Sequence, residues 1–133
     1  MSPQDLTVVF GENYRIDVAY KGFSIKTDQP IRDGGDGSAP SPFDLFLASL
    51  AACAGYYALA FCRERQIPTA GLAVTMTTER GAVSKMIDKI TIEVVPPGGF
   101  PDKYRAALVK AVDHCTVKAH ILRPPQFEIA LKP

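Results

Sequence analysis

Ser41-Pro42-Phe43-Asp44, followed by the apolar run Leu45 to Cys62, is the stretch around which the rest of this chain is built. Ser49 is the polar residue of the run, and Cys53 stands in its middle. The pattern predicts a helix. Ser41 is a good N-cap, and Pro42 suits the first helical position, where an N–H would be unsatisfied anyway. Asp44 sits where a short acidic side chain bonds back to the cap. Ala48, Ala51, Ala52, Ala54, Ala58 and Ala60 are strong helix formers. Arg63-Glu64-Arg65 turns the pattern polar and Pro68 stops it, so the helix is expected to run to about Gln66. A helix that is apolar all round needs cover on every side. Its length reaches the lower limit for a membrane span. The run is built on alanine, however, with Gly55, Tyr56 and Tyr57 inside it, Asp44 at one end and no second span. A buried core helix, and no membrane, is the expectation.

The 133 residues suit one domain, 1–133, with its own core. Hydrophobic content of 47% and charged content of 22% are those of a soluble globular protein. A net charge of +1 gives no reason to expect nucleic acid or an anionic membrane as partner. No basic run with a following apolar segment opens the chain, so no signal peptide is expected. Cys53, Cys62 and Cys115 are few and odd in number, which argues against a secreted disulfide framework and for a reducing cytoplasm. They form no CxxC pair, and no Walker loop, GxGxxG or HExxH is present, so no metal site is expected.

Outward from the helix, period-two patterns predict strands. Leu6 to Phe10, Tyr14 to Tyr20 and Phe23 to Thr27 read as a meander with one face buried. Asp28 to Pro40, rich in Gly and Pro, reads as a loop without regular structure. After the helix, Leu72 to Arg80 and Met86 to Val95 read as a hairpin, ended by Pro96-Pro97-Gly98-Gly99. Pro101 to His114 carries a helical stripe, Thr116 to Ile121 allows a single turn, and Phe127 to Leu131 alternates as a last strand. The order β-β-β-α-β-β-α-(α)-β does not alternate regularly, which argues for an α+β fold. One sheet in so short a chain does not cover a helix apolar on all sides. A second subunit is the simplest supplier, and a homodimer is expected.

Three thiols are the chemical candidates. Cys62 lies nine residues beyond Cys53, half a turn out of phase at roughly 100° per residue. A continuous helix therefore excludes a disulfide between them, and Cys62 reads as a small packing residue. For Cys53 alone the same packing reading holds. Cys115 sits at a helix boundary, where the N–H groups of a following turn favour its thiolate. His114 and His120 lie near it in sequence, but adjacent helical residues point apart, and both read better as surface or packing histidines than as general bases.

Ser41-Pro42-Phe43-Asp44-Leu45-Phe46-Leu47-Ala48-Ser49-Leu50-Ala51-Ala52-Cys53 resembles the signature of the OsmC/Ohr family, the osmotically inducible and organic hydroperoxide resistance proteins. Asp113-His114-Cys115-Thr116-Val117 resembles its second cysteine motif, and the element order resembles that family's over essentially the whole chain. The resemblance implies an intertwined α+β homodimer with a long buried central helix. It implies a thiol-dependent peroxidase that reduces organic hydroperoxides, with Cys53 peroxidatic and Cys115 resolving. An external dithiol restores both thiols, with no metal or organic cofactor. It also implies an arginine beside the thiolate, for which Arg15 and Arg32 are the candidates, and a substrate pocket for which Phe43, Asp44, Phe46, Tyr56 and Tyr57 are the candidates. Peroxidase members usually carry a Glu where this chain has Phe43, and Asp44, one place later, is about 100° away around the helix. The alternative expectation is an OsmC-like dimer that binds a small apolar ligand without efficient turnover.

Overall fold

The computed structural model describes residues 5–133. Its elements are β1 (Thr7–Phe10), β2 (Ile16–Tyr20), β3 (Phe23–Thr27), α1 (Pro42–Glu64), β4 (Ala73–Arg80), β5 (Ile87–Val95), α2 (Arg105–Asp113) and α3 (Thr116–Leu122), with short 3-10 turns at Ile31–Asp33 and Asp102–Tyr104. The chain separates into two compact units, residues 1–48 and 49–133.

In the first unit β1, β2 and β3 form an antiparallel meander in the order β1-β2-β3. Its faces are not covered as the alternation predicts: Val8, Val9, Phe10, Phe23 and Ile25 all remain exposed, and of the three strands only Thr27 is buried. Period two says which side chains share a face; it does not supply the layer that covers them.

The segment 28–40 is not structureless. Asp28, fully buried, accepts hydrogen bonds from Gln29 N–H (2.7 Å), Ser38 N–H (3.0 Å) and the Ser38 hydroxyl (2.6 Å). The loop closes on itself through Asp28 N–H to Pro40 O and Gly37 N–H to Gln29 O. Gly35 is required by close approach, since a Cβ there would lie 2.0 Å from the Gln29 carbonyl oxygen. Hydrogen bonds from the Ser38 side chain and backbone outweigh burial and hold the Asp28 carboxyl at about 2, below its ordinary 3.8. The folded value is depressed, so Asp28 contributes stability that is fully present above its unfolded value and is lost as pH falls from near 4 toward 2. Asp28→Asn should flatten this acid branch in urea-unfolding midpoints measured against pH. Parallel branches for the variant and the parent protein would contradict this role.

Helix α1 begins with the reciprocal cap read from the sequence: Asp44 N–H bonds Ser41 Oγ and Ser41 N–H bonds the Asp44 carboxylate, each at 3.2 Å. It ends in a Schellman motif. Gln66 takes the left-handed conformation (φ 57°), Ile67 N–H reaches Cys62 O, and Gln66 N–H reaches Arg63 O. The Arg65 guanidinium then lies 3.6 Å from the Phe61 ring centre. By length and composition α1 passes for a membrane span. Within the second unit, however, its buried stripe Leu50, Ala54, Ala58, Phe61 and Cys62 faces inward. Ala54, Ala58, Phe61 and Cys62 cluster with Phe100, Leu108 and Val112, and Val74, Ile92 and Val94 of the β4–β5 hairpin pack against that core. The rest of α1 is not buried: Tyr56 is 63% exposed. Cover on every side, expected for so apolar a helix, is not supplied by this chain.

The helix read over Pro101 to His114 is split into a 3-10 turn and α2, and the single turn after Cys115 is the seven-residue α3. The last strand, Phe127 to Leu131, does not form. Among the described residues the segment pairs with no strand, and Phe127, Ile129 and Leu131 are at least 82% exposed. Alternation alone cannot make a strand; a free edge must accept its N–H and C=O groups.

Candidate active site

Cys53 lies half-buried mid-way along α1, and Cys115 is the buried N-cap of α3. The fold brings the two thiols close enough that each shifts the other, Cys115 favouring the Cys53 thiolate and Cys53 disfavouring that of Cys115. The N–H groups of Val117 and Thr116, at the start of α3, also favour the Cys53 thiolate. Burial pushes the Cys53 thiol up, but the Val117 N–H, the Cys115 thiol and the Thr116 N–H outweigh it, and Cys53 ends below the ordinary thiol value. Cys115 moves the opposite way. Burial raises it, and so does the neighbouring Cys53; the Lys118 N–H, 3.4 Å from its sulfur, and the Val117 N–H pull back without reversing the sign. The α3 N–H groups do favour a Cys115 thiolate, as expected, but burial and the neighbouring Cys53 outweigh them, and Cys53 receives the benefit of the same turn without that reversal. Cys62 sits fully buried in the core, its thiol raised by burial.

Neither histidine serves a thiol. His114 Nδ1–H donates to Lys110 O (2.8 Å) and His120 Nδ1–H to Thr116 O (2.7 Å), each the carbonyl one turn earlier. Arg15 pairs with Asp36 at 3.2 Å inside the first unit, and Arg32 lies 3.8 Å from Asp33. No arginine figures among the groups that shift Cys53. Phe43, Asp44 and Phe46 fall in the first unit, Tyr56 and Tyr57 in the second. Phe43 and Phe46 stack on each other, with ring centres 5.6 Å apart.

In the second unit a cavity of about 610 Å³ lies between β5 and the α2–α3 segment. Leu50, Ile90, Ile92, Val109 and Val112 line it, Cys115 forms part of its wall, and none of the five aromatic and acidic pocket candidates does. A spacing argument on α1 alone could not find it, because most of its lining comes from β5 and α2. Among the described residues no group of three His, Cys, Asp or Glu is placed to hold a metal ion.

The α+β fold thus sets one thiol lowered below its ordinary value against a second, raised one. The family model described as OsmC-like protein matches residues 35–130, and the chain belongs to the OsmC-like family. Solved structures agree on the fold. A candidate osmotic stress induced and detoxification response protein from Psychrobacter arcticus 273-4 superposes with a TM-score of 0.74 at 23% identity, covering 90% of this chain and 88% of that one. An OsmC-like protein from Mycoplasma pneumoniae gives 0.69 at 17% identity, covering 91% and 88%. An organic hydroperoxide resistance protein OsmC from Legionella pneumophila gives 0.58 at 21%, covering 91% and 90%. A search of curated proteins finds no match.

Proposed function

We propose that this protein is a thiol-dependent peroxidase that reduces organic hydroperoxides through Cys53 and Cys115. The observation that carries the reading is the opposed setting of the two neighbouring thiols, Cys53 lowered and Cys115 raised. Cys53 thiolate attacks the terminal oxygen of the hydroperoxide. The S–O bond forms, the O–O bond breaks, and the alkoxide leaves with a proton as the alcohol. Cys53 is then a sulfenic acid. Cys115 loses its proton, attacks the Cys53 sulfur and expels water, leaving a Cys53–Cys115 disulfide. An external dithiol reduces that disulfide and is itself oxidised. No metal or organic cofactor enters. The apolar cavity beside Cys115 favours a hydrocarbon-bearing substrate over hydrogen peroxide. Organic hydroperoxide resistance is also what the Legionella pneumophila neighbour is named for.

The same reading includes a homodimer. Two faces of this chain support it: the uncovered side of α1 and the exposed apolar residues of β1 and β3, beside a C-terminal segment that alternates without a partner. Mass spectrometry tests both parts. The native protein should appear at twice the chain mass. After treatment with cumene hydroperoxide, a non-reducing peptide map should show the Cys53 and Cys115 peptides linked and Cys62 free. A native monomer would remove the dimer, and two untouched thiols would remove the peroxidase.

A further inference from the structure

The Tyr57 hydroxyl lies 2.9 Å from Thr116 Oγ1. Tyr57 stands four residues after Cys53 on α1, so the two side chains share a face, one turn apart. Thr116 opens α3, and its own N–H and that of Val117 are the backbone groups on the Cys53 sulfur. One side-chain hydrogen bond therefore ties the helix that carries the thiol to the peptide units that solvate it.

We propose that Tyr57 is a positioning residue, whose bond to Thr116 Oγ1 holds the Thr116 and Val117 N–H groups on the Cys53 sulfur. The inference rests on Cys53 being the reactive thiol. Its physical reason is the weak anchoring of α3. That helix has seven residues and buries none of them, so core packing does not fix it. The Lys118–Asp113 ion pair joins α3 to the end of α2 and leaves α1 untouched. N–H bonds weaken steeply with misalignment, so a small drift of α3 removes what holds the thiolate. Apolar burial would then dominate and raise the thiol.

The titratable groups on the neighbouring stretches of chain are Tyr56 and Tyr57 on α1, Asp113 and His114 at the end of α2, and Cys115, Lys118 and His120 at the start of and within α3. Lys118 is held by Asp113, and the two histidines by carbonyl oxygens. Of this set only Cys115 acts on Cys53 directly. Tyr57→Phe removes one hydroxyl and no charge, so a change in Cys53 titration reports geometry.

The test is iodoacetamide alkylation across pH, resolved by peptide so that each cysteine is read separately, in the reduced full-length protein. Tyr57→Phe and Thr116→Val should each raise the Cys53 midpoint by about one unit, an approximately tenfold loss of thiolate at neutral pH. The double variant should go no further than either single one, Thr116→Ser should keep the parent midpoint, and the Cys62 profile should not move. A Tyr57→Phe midpoint equal to the parent's, or single shifts that sum in the double variant, would overturn the proposal. The two readings fail separately. A parent Cys53 that oxidises with hydroperoxide while Tyr57→Phe leaves its midpoint unmoved removes the positioning role alone. A parent Cys53 that hydroperoxide leaves unoxidised removes the peroxidase.

Discussion

Cys53→Ser should consume organic hydroperoxide no faster than the uncatalysed background, a loss of about a thousandfold or more. A serine hydroxyl in the same place still receives the Val117 and Thr116 N–H groups, but its proton is held far too tightly for these neutral donors to make an alkoxide near neutral pH. The substitution is nearly isosteric on a half-buried helical position, so the fold should survive it. On the proposed reading the lowered thiol is what makes the position reactive, since neighbouring N–H and S–H groups favour a negative sulfur. Raising pH through the Cys53 value should increase the first-turnover rate until the thiolate is fully formed and then leave it level. A hydroperoxide-consumption assay with cumene hydroperoxide and a dithiol reads both effects. Activity retained in Cys53→Ser would assign the chemistry elsewhere.

Cys115→Ser should behave differently. The first equivalent of hydroperoxide is still reduced, because Cys53 carries out the attack. Turnover then stalls, since the sulfenic acid has no thiol beside it. In the proposed reaction the disulfide closes between neighbouring groups, so losing one of them replaces an intramolecular step with a bimolecular one. Steady-state turnover should fall by about a hundredfold at ordinary reductant concentrations. Serine also still donates a hydrogen bond to Cys53, so the lowered state of Cys53 should persist. A burst of one equivalent per chain, followed by a slow phase, is the expected trace.

Much of the architecture was legible before any coordinates. Ser41 and Asp44 gave the start of α1 because capping is local chemistry, written within four residues. The β4–β5 hairpin followed from alternation and its Pro-Gly stop, and the turn after Cys115 proved to be α3. What failed was non-local. Phe127 to Leu131 has the alternation of a strand, but a strand also needs an edge, and no residue spacing announces one. The 28–40 segment looked like plain loop because the Asp28–Ser38 contact spans ten residues and joins common polar types.

The site divides in the same way. Cys115 was read as the thiol favoured by the α3 turn because it adjoins that turn in sequence. Folding brings Cys53 to the same turn, and burial together with that through-space neighbour outweighs the turn's effect on Cys115. Tyr57 was visible as one turn from Cys53, but its partner Thr116 was not. A Tyr four residues after the first cysteine, together with a Thr directly after the second, is the signal that would have paired them.

The central claim, that Cys53 is the sulfur hydroperoxide oxidises and Cys115 the one that resolves it, is tested most directly by trapping the intermediate. Cys115→Ser is mixed with one equivalent of cumene hydroperoxide in the presence of dimedone, and the labelled peptide is identified by mass spectrometry. The dimedone adduct should fall on Cys53, in near-stoichiometric yield, with Cys62 unlabelled. An adduct on Cys62, or hydroperoxide consumed with Cys53 still a free thiol, would contradict it.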